Sequence, residues 1–249
     1  KDIKLTISNR GGQPKEVLLK EFKTYDSLPV YLIKDWNATF NLSFTTAQNQ
    51  TLSSKDLYFE PTLNENNGNK VLSMKLKTSE NAYLEYVYTL PKEGYMLDVA
   101  VRSQGLSGVV NTSKPMNIDW KLQARRMEKS VTYENRYTQA TVQYDGDRIN
   151  RLSQGGNDEQ KEEKVNWVAY KQHLFTSVLI SDNPFAKGGF VSHNIAMSEG
   201  KDVKYTKNFL TSLPIQAKSG ELSESLHFYF GPSDYNVLKQ YNDKYELTE

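Results

Sequence analysis

Cysteine is absent from the 249 residues, which removes disulfide scaffolds, thiolate-ligated zinc, iron–sulfur clusters and thiol nucleophiles together. The compartment stays open on that count. Charge of one sign is lacking as well: 31 Lys and Arg stand against 30 Asp and Glu, a net +1, so no field marks a nucleic-acid footprint or a polybasic anchor. Long apolar runs are missing too. The longest aliphatic one is Val178-Leu179-Ile180, against the roughly 18 to 20 residues a spanning helix needs. The first residues, Lys1-Asp2-Ile3, run straight into a strand-like pattern with no signal-peptide features. Two readings of that start stay open, a mature or trimmed chain and a cytosolic one.

What is present is period-two alternation. Ile3, Leu5 and Ile7; Phe40, Leu42 and Phe44; Leu72, Met74 and Leu76; and Ala82, Leu84, Tyr86, Tyr88 and Leu90 each mark one face of a strand. Met116, Ile118, Trp120, Leu122 and Ala124 form one of the cleanest sets, predicting a strand buried on one side. Glycines and prolines between these runs, including Pro61 and Gly188-Gly189, read as turns. Many strands with hardly any helical periodicity predict a large antiparallel all-β sandwich. Parallel α/β folds are excluded. Val165 to Ile180 is apolar on both faces and reads as one central strand, which favours a single continuous sandwich over two domains. Asn157 to Lys164 carries six charges and no apolar residue and reads as a solvated loop.

The period changes at the end. After Phe228-Tyr229-Phe230 and Gly231-Pro232, residues Tyr235, Leu238 and Tyr241 recur at helical spacing, with Ser233 or Asp234 as N-cap. The division is therefore a β-domain over residues 1–232 and a helical segment over 233–249. Tyr235, Leu238 and Tyr241 make one apolar stripe, which either docks on a partner or membrane or packs on the domain itself.

Chemistry-bearing motifs are sparse. The three histidines, His173, His193 and His227, have no metal-ligand spacing. His173 reads as a hydrogen-bonded core residue and His227 as a sheet-surface one. No serine stands in a nucleophile elbow, no glycine loop fits a phosphate, and the pair Glu162-Glu163 belongs to the charged stretch. Expected cofactors are none. Arg125, Arg126 and Arg136 belong to a dense mixed-charge stretch that could grip a carboxylate or phosphate but reads better as an ion-pair network at a sandwich rim. Trp120 and Trp167, with some of the 16 tyrosines, are candidates for the wall of a cleft. Sequons at Asn37, Asn41, Asn49 and Asn111 are near chance frequency in so Asn-rich a chain.

Four blocks carry a resemblance. Asp56 to Phe59, Tyr83 to Pro91, Trp167 to Phe175 (Trp-x-Ala-x-x-Gln-His-x-Phe) and Tyr229 to Lys239 (Phe-Gly-Pro-x-x-Tyr-x-x-Leu-Lys) resemble the first periplasmic domain of the bacterial membrane-protein insertase YidC. The block from Arg125 to Arg136 is most similar to Bacteroidetes versions. The resemblance implies a β-supersandwich similar to galactose mutarotase. It also implies a non-enzymatic role at the periplasmic face of the inner membrane, assisting insertion and folding of membrane proteins with or without the Sec translocon. Its implied partners are nascent membrane proteins and the SecDF component, with no nucleic acid. One transmembrane helix would precede Lys1 and the insertase core would follow Glu249. A sheet edge or cleft accepting an extended peptide is a further expectation. The alternative is a carbohydrate-binding or aldose-epimerase-like supersandwich.

Overall fold

A computed structural model describes residues 2–195 and 203–245. The strands in chain order are β1 (Ile3–Ile7), β2 (Pro14–Lys23), β3 (Pro29–Ile33), β4 (Ala38–Thr45), β5 (Thr51–Ser53), β6 (Glu60–Asn66), β7 (Asn69–Ser79), β8 (Ala82–Leu90), β9 (Met96–Gln104), β10 (Met116–Arg125), β11 (Gln139–Tyr144), β12 (Arg148–Arg151), β13 (Asp158–Lys171), β14 (Phe175–Asn194), β15 (Tyr205–Ile215) and β16 (Ser223–Pro232). Two α-helices, α1 (Val131–Tyr137) and α2 (Tyr235–Tyr245), and a short 3-10 helix (Ser54–Asp56) accompany them among the described residues. All strand pairs are antiparallel. The architecture is the large antiparallel sandwich that the alternation predicts.

The hairpin of β13 and β14 belongs to both layers. Phe175–Ser181 of β14 pairs with β16, which continues through β9, β8 and β7 to the edge strand β6. Gly189–Asn194 of the same strand pairs instead with β15, which continues through β10 and β4 to β5. β13 follows β14 through both halves, with a register shift between Val165 and Trp167 where the ladder changes layer. A separate three-stranded sheet, β1-β2-β3, adds Ile3, Val17, Leu19 and Val30 to the common core.

Aromatic rings fill the space between the layers. Trp120 of β10 stacks on Tyr170 of β13 at 4.1 Å between centroids, and Tyr170 stacks on Phe209 at 4.7 Å. Phe228 meets Trp120 and Phe40 edge-on, each at 5.4 Å. The Tyr170 hydroxyl donates to the Trp120 carbonyl at 2.9 Å, so this buried polar group is satisfied.

Several local expectations are corrected. Val165 to Ile180 is two strands joined at Gln172–Leu174. Their double-sided apolarity has a direct cause: Leu179 and Phe175 face the core between the layers, whereas Val178, Ile180 and Trp167 face outward and are covered by α2. The charged residues 158–164 are strand, with 158–163 paired with Lys187–Ser192. Backbone pairing set by the rest of the hairpin overrides their polarity. Gly188-Gly189 therefore sits within β14, where a Cβ on Gly188 would lie 2.6 Å from the Phe190 ring. Pro61 lies in β6, an edge strand, where a missing N–H is tolerated.

Candidate functional site

Two regions bring together residues that the sequence singles out: the face covered by α2, and the rim around α1.

Asp234 caps α2, its Oδ1 accepting from the amides of Asn236 at 2.9 Å and Val237 at 3.2 Å. The helix lies over the outer face of β9, β16 and β14. Val237, Leu238, Tyr241 and Tyr245 pack against Met96, Ile180 and Tyr229. The Tyr241 hydroxyl accepts from the Tyr95 amide at 2.8 Å and its ring meets Tyr229 edge-on. Leu238 and Tyr241 thus face the domain, whereas Tyr235 is 58% exposed and lies off that interface. Helical spacing alone does not separate Tyr235 from the other two.

His227 is not the sheet-surface residue expected. It is on the outer face of β16, as its spacing requires, but α2 covers that face. Nδ1 lies 2.7 Å from Asp98 Oδ1, Nε2 lies 2.8 Å from Asp182 Oδ1, and the Tyr245 ring sits 4.6 Å away. Burial favours the neutral ring, but the two carboxylates outweigh it and hold the imidazole pKa above its ordinary 6.5. Only imidazolium donates from both nitrogens. This cluster had no sequence signal, since Asp98, Asp182 and His227 are far apart in the chain.

At the rim, Arg125 Nη1 and Lys204 Nζ both reach Asp35 Oδ2, at 3.2 and 2.9 Å. Hydrogen bonds from Lys204 and Arg125 hold the Asp35 carboxyl below its usual range. Arg126 donates to the carbonyls of Glu128 (2.9 Å) and Lys129, and lies over the Tyr25 ring. Arg136 is exposed at the end of α1, beside a cavity of about 300 Å³ shared with Thr132, Gln154 and Asn194. The three arginines therefore do not converge on one point: Arg125 and Arg126 are committed to local partners, and Arg136 faces a different hollow.

Glu134, on α1, is 1% exposed. Its carboxyl accepts from the amides of Met127 and Glu128 and from Gln172 Nε2 at 3.1 to 3.3 Å. Burial pushes its pKa up to about 7 against the pull of these donors. His173 is corrected from core residue to rim residue: it lies in the β13–β14 turn, stacked on Tyr137 at 4.4 Å and bonded to Glu128. His193 is exposed on β14.

The tryptophans do not form a cleft wall. Trp120 is 1% exposed in the core, since its face of β10 is the inner one, and Trp167 lies on the opposite, outer surface of its layer against the α2 cluster. An apolar cavity of about 230 Å³ does open between the layers, lined by Leu42, Phe44, Leu84, Leu106, Met116 and Leu222 among others. Its wall is almost wholly apolar, with Thr78, Ser103 and Thr112 as its polar residues, and lacks the charged and amide groups that usually converge on a sugar. No group of three or more metal-ligating side chains is found among the described residues. Asn37 and Asn41 are buried and hydrogen-bonded, so two of the sequons are structural residues. The sheet edges are blunted: β5 has three residues, and β6 carries Pro61 between Glu60 and Glu65.

Comparison with known proteins agrees with this architecture. A putative aldose 1-epimerase from Escherichia coli K12 superposes with a TM-score of 0.52 at 10% identity, covering 92% of this chain and 96% of that one. A likeness at that identity concerns the fold alone. Membrane protein insertases YidC are similar in sequence: 34% identical over 96% of this chain in Porphyromonas gingivalis W83, 33% over 96% in Parabacteroides distasonis, and 30% over 99% in Bacteroides fragilis. The chain spans 38%, 37% and 40% of the length of those relatives. No helix among the described residues is long and apolar enough to cross a membrane. The family model for the YidC periplasmic domain matches residues 1–249, and the chain belongs to that family.

Proposed function

We propose that this domain is the non-catalytic periplasmic module of a membrane protein insertase, working at the periplasmic face of the inner membrane. The observation that carries the reading is the family match over residues 1–249, together with relatives that are named membrane protein insertases. In this role the sandwich assists insertion and folding of inner-membrane proteins, with or without the Sec translocon. Nascent membrane proteins and the SecDF component are its partners.

The packing of α2 gives the module a mechanical part. Leu238 and Tyr241 fasten the helix to the sheet, so α2 moves with the sandwich as one body, and the exposed side, with Tyr235, Asn236, Lys239 and Gln240, is the docking side. The rim of Arg125, Arg126 and Arg136 is a second contact surface, suited to a carboxylate-bearing partner through Arg136. Photo-crosslinkers at Tyr235, Lys239 and Arg136 of the full-length protein in its native membrane test both. Adducts with a nascent chain or with SecDF from these positions, and none from the buried Trp120, support the reading. Absence of adducts at all three exposed positions, under conditions where the insertase core crosslinks to substrate, overturns it.

A further inference from the structure

Asp2, just before β1, and Tyr241 of α2 bond to successive amides of one turn. The Gly94 amide donates to Asp2 Oδ2 at 2.6 Å, and the next amide, that of Tyr95, donates to the Tyr241 hydroxyl. Gly94 has φ of +94°, and a Cβ there would lie 2.6 Å from Tyr241 Oη, so only glycine lets helix and strand approach this turn together.

Beside this junction lies a cavity of about 320 Å³ whose charged lining is all of one sign: Lys4, Lys20, Lys70 and Lys92. Ile3 and Leu5 contribute its apolar wall. Two separate sheets supply the lysines, Lys4 and Lys20 from the β1–β2 pair and Lys70 and Lys92 from the β7–β8 end of the large sheet. All four are exposed, and Lys4, Lys20 and Lys70 have no salt bridge among the described residues. Carboxylates are near but do not line the hollow. Asp2 is engaged by Gly94, Glu65 stands across the ladder from Lys70, and Glu21 and Glu93 follow Lys20 and Lys92 in the chain. The lining of the hollow thus holds four cations and no carboxylate, an arrangement to which an anion is complementary.

We infer that this hollow docks the domain on anionic phospholipid, with phosphates among the four ammonium groups and the glycerol and upper acyl region against Ile3 and Leu5. Two observations select a bilayer as the occupant. The charge is complementary to an anionic headgroup layer and the wall is apolar, a pairing that a membrane interface satisfies and a soluble polyanion does not. The location agrees: Ile3 and Lys4, in the first strand, line the hollow, and the insertase relatives are more than twice as long as the matched region. This goes beyond the proposed insertase role, and the assay below reads lipid binding without insertion.

Sedimentation of the 249-residue chain with vesicles tests it, comparing phosphatidylcholine alone with equal parts phosphatidylcholine and phosphatidylglycerol at low salt. Binding to the anionic vesicles only is expected, falling steeply as salt is raised. Each lysine near the surface is worth about fivefold in partitioning. Replacing all four (Lys4→Gln, Lys20→Gln, Lys70→Gln, Lys92→Gln) is expected to lower binding about 600-fold. The pair Lys4→Gln, Lys70→Gln, one from each sheet, is expected to lower it about 25-fold and serves if the fourfold variant misfolds. A control with the same net charge replaces Lys121, Lys161, Lys187 and Lys218, all outside the hollow, and is expected to bind as the parent. Equal binding to both vesicle types, an equal loss in the control, or displacement by soluble glycerol phosphate as effective as by anionic vesicles would overturn the inference.

Discussion

The two helices are held to the same sandwich by opposite means. α1 is seven residues long and is anchored by a buried carboxylate, Glu134, which collects amide donors from the preceding loop and from Gln172. α2 is eleven residues long and is anchored by half-buried apolar and aromatic side chains on Met96, Ile180 and Tyr229. A polar anchor depends on every donor staying paired, so it fails abruptly when one atom is removed. An apolar anchor is graded, since its strength follows the area covered.

The sharpest way to break this contrast is Glu134→Ala, which leaves Met127 N, Glu128 N and Gln172 Nε2 without their acceptor. A loss of about 3–5 kcal/mol in urea denaturation is expected. Next comes pH. Glu134 ionises at about 7 in the folded protein against 4.5 as the unperturbed value. The folded state then holds the proton that the unfolded state releases, and this contribution weakens stability as pH rises from about 4.5 to about 7. At about 1.4 kcal/mol per pH unit the span is about 3 kcal/mol at most, and Glu134→Gln should remove that slope from a series of chemical melts. For α2, Leu238→Asp should cost about 2 kcal/mol and lower the melting temperature by about 4–8 °C. An unchanged melt with lost insertion would instead mean that Leu238 serves a partner.

A smaller pH effect of the same direction belongs to α2. His227 titrates above 6.5 when folded, so its contribution is complete below pH 6.5 and disappears as pH rises through the folded value. Protection of the 235–245 amides from hydrogen exchange, taken relative to the intrinsic rate at each pH, should fall over that range in the parent and not in His227→Gln. The smallest effect is expected at the rim, where Asp35→Ala removes an exposed ion-pair hub. Such pairs contribute little, and the melt should stay within the scatter of repeats.

The sequence was informative where one face alone decides an element. Met116, Ile118, Trp120, Leu122 and Ala124 are all buried because that entire face of β10 meets the core. Likewise Tyr235, Leu238 and Tyr241 predicted a helix with an apolar stripe, of which Leu238 and Tyr241 pack on the domain, and of the two cap candidates, Ser233 and Asp234, it is Asp234 that caps. What escaped is what depends on a second element. His227 has the alternation of a surface residue, and only α2 makes it a buried hub. Residues 158–164 have the composition of a loop, and only β14 makes them a strand. Lys4, Lys20, Lys70 and Lys92 have no spacing in common, since two sheets bring them together. The rim arginines were visible as a cluster, but not that Arg125 and Arg126 spend their donors on Asp35 and on backbone carbonyls.

The β13–β14 hairpin, shared by both layers, makes the sandwich indivisible. Neither layer can peel away without stripping the strand that the other also needs, so thermal unfolding should proceed as a single cooperative event with no half-open species. A nick between residues 182 and 187, where β14 passes from one partner strand to the next, would leave β13 as the strand still paired across both halves, so the nicked protein should melt at a lower temperature while keeping one transition.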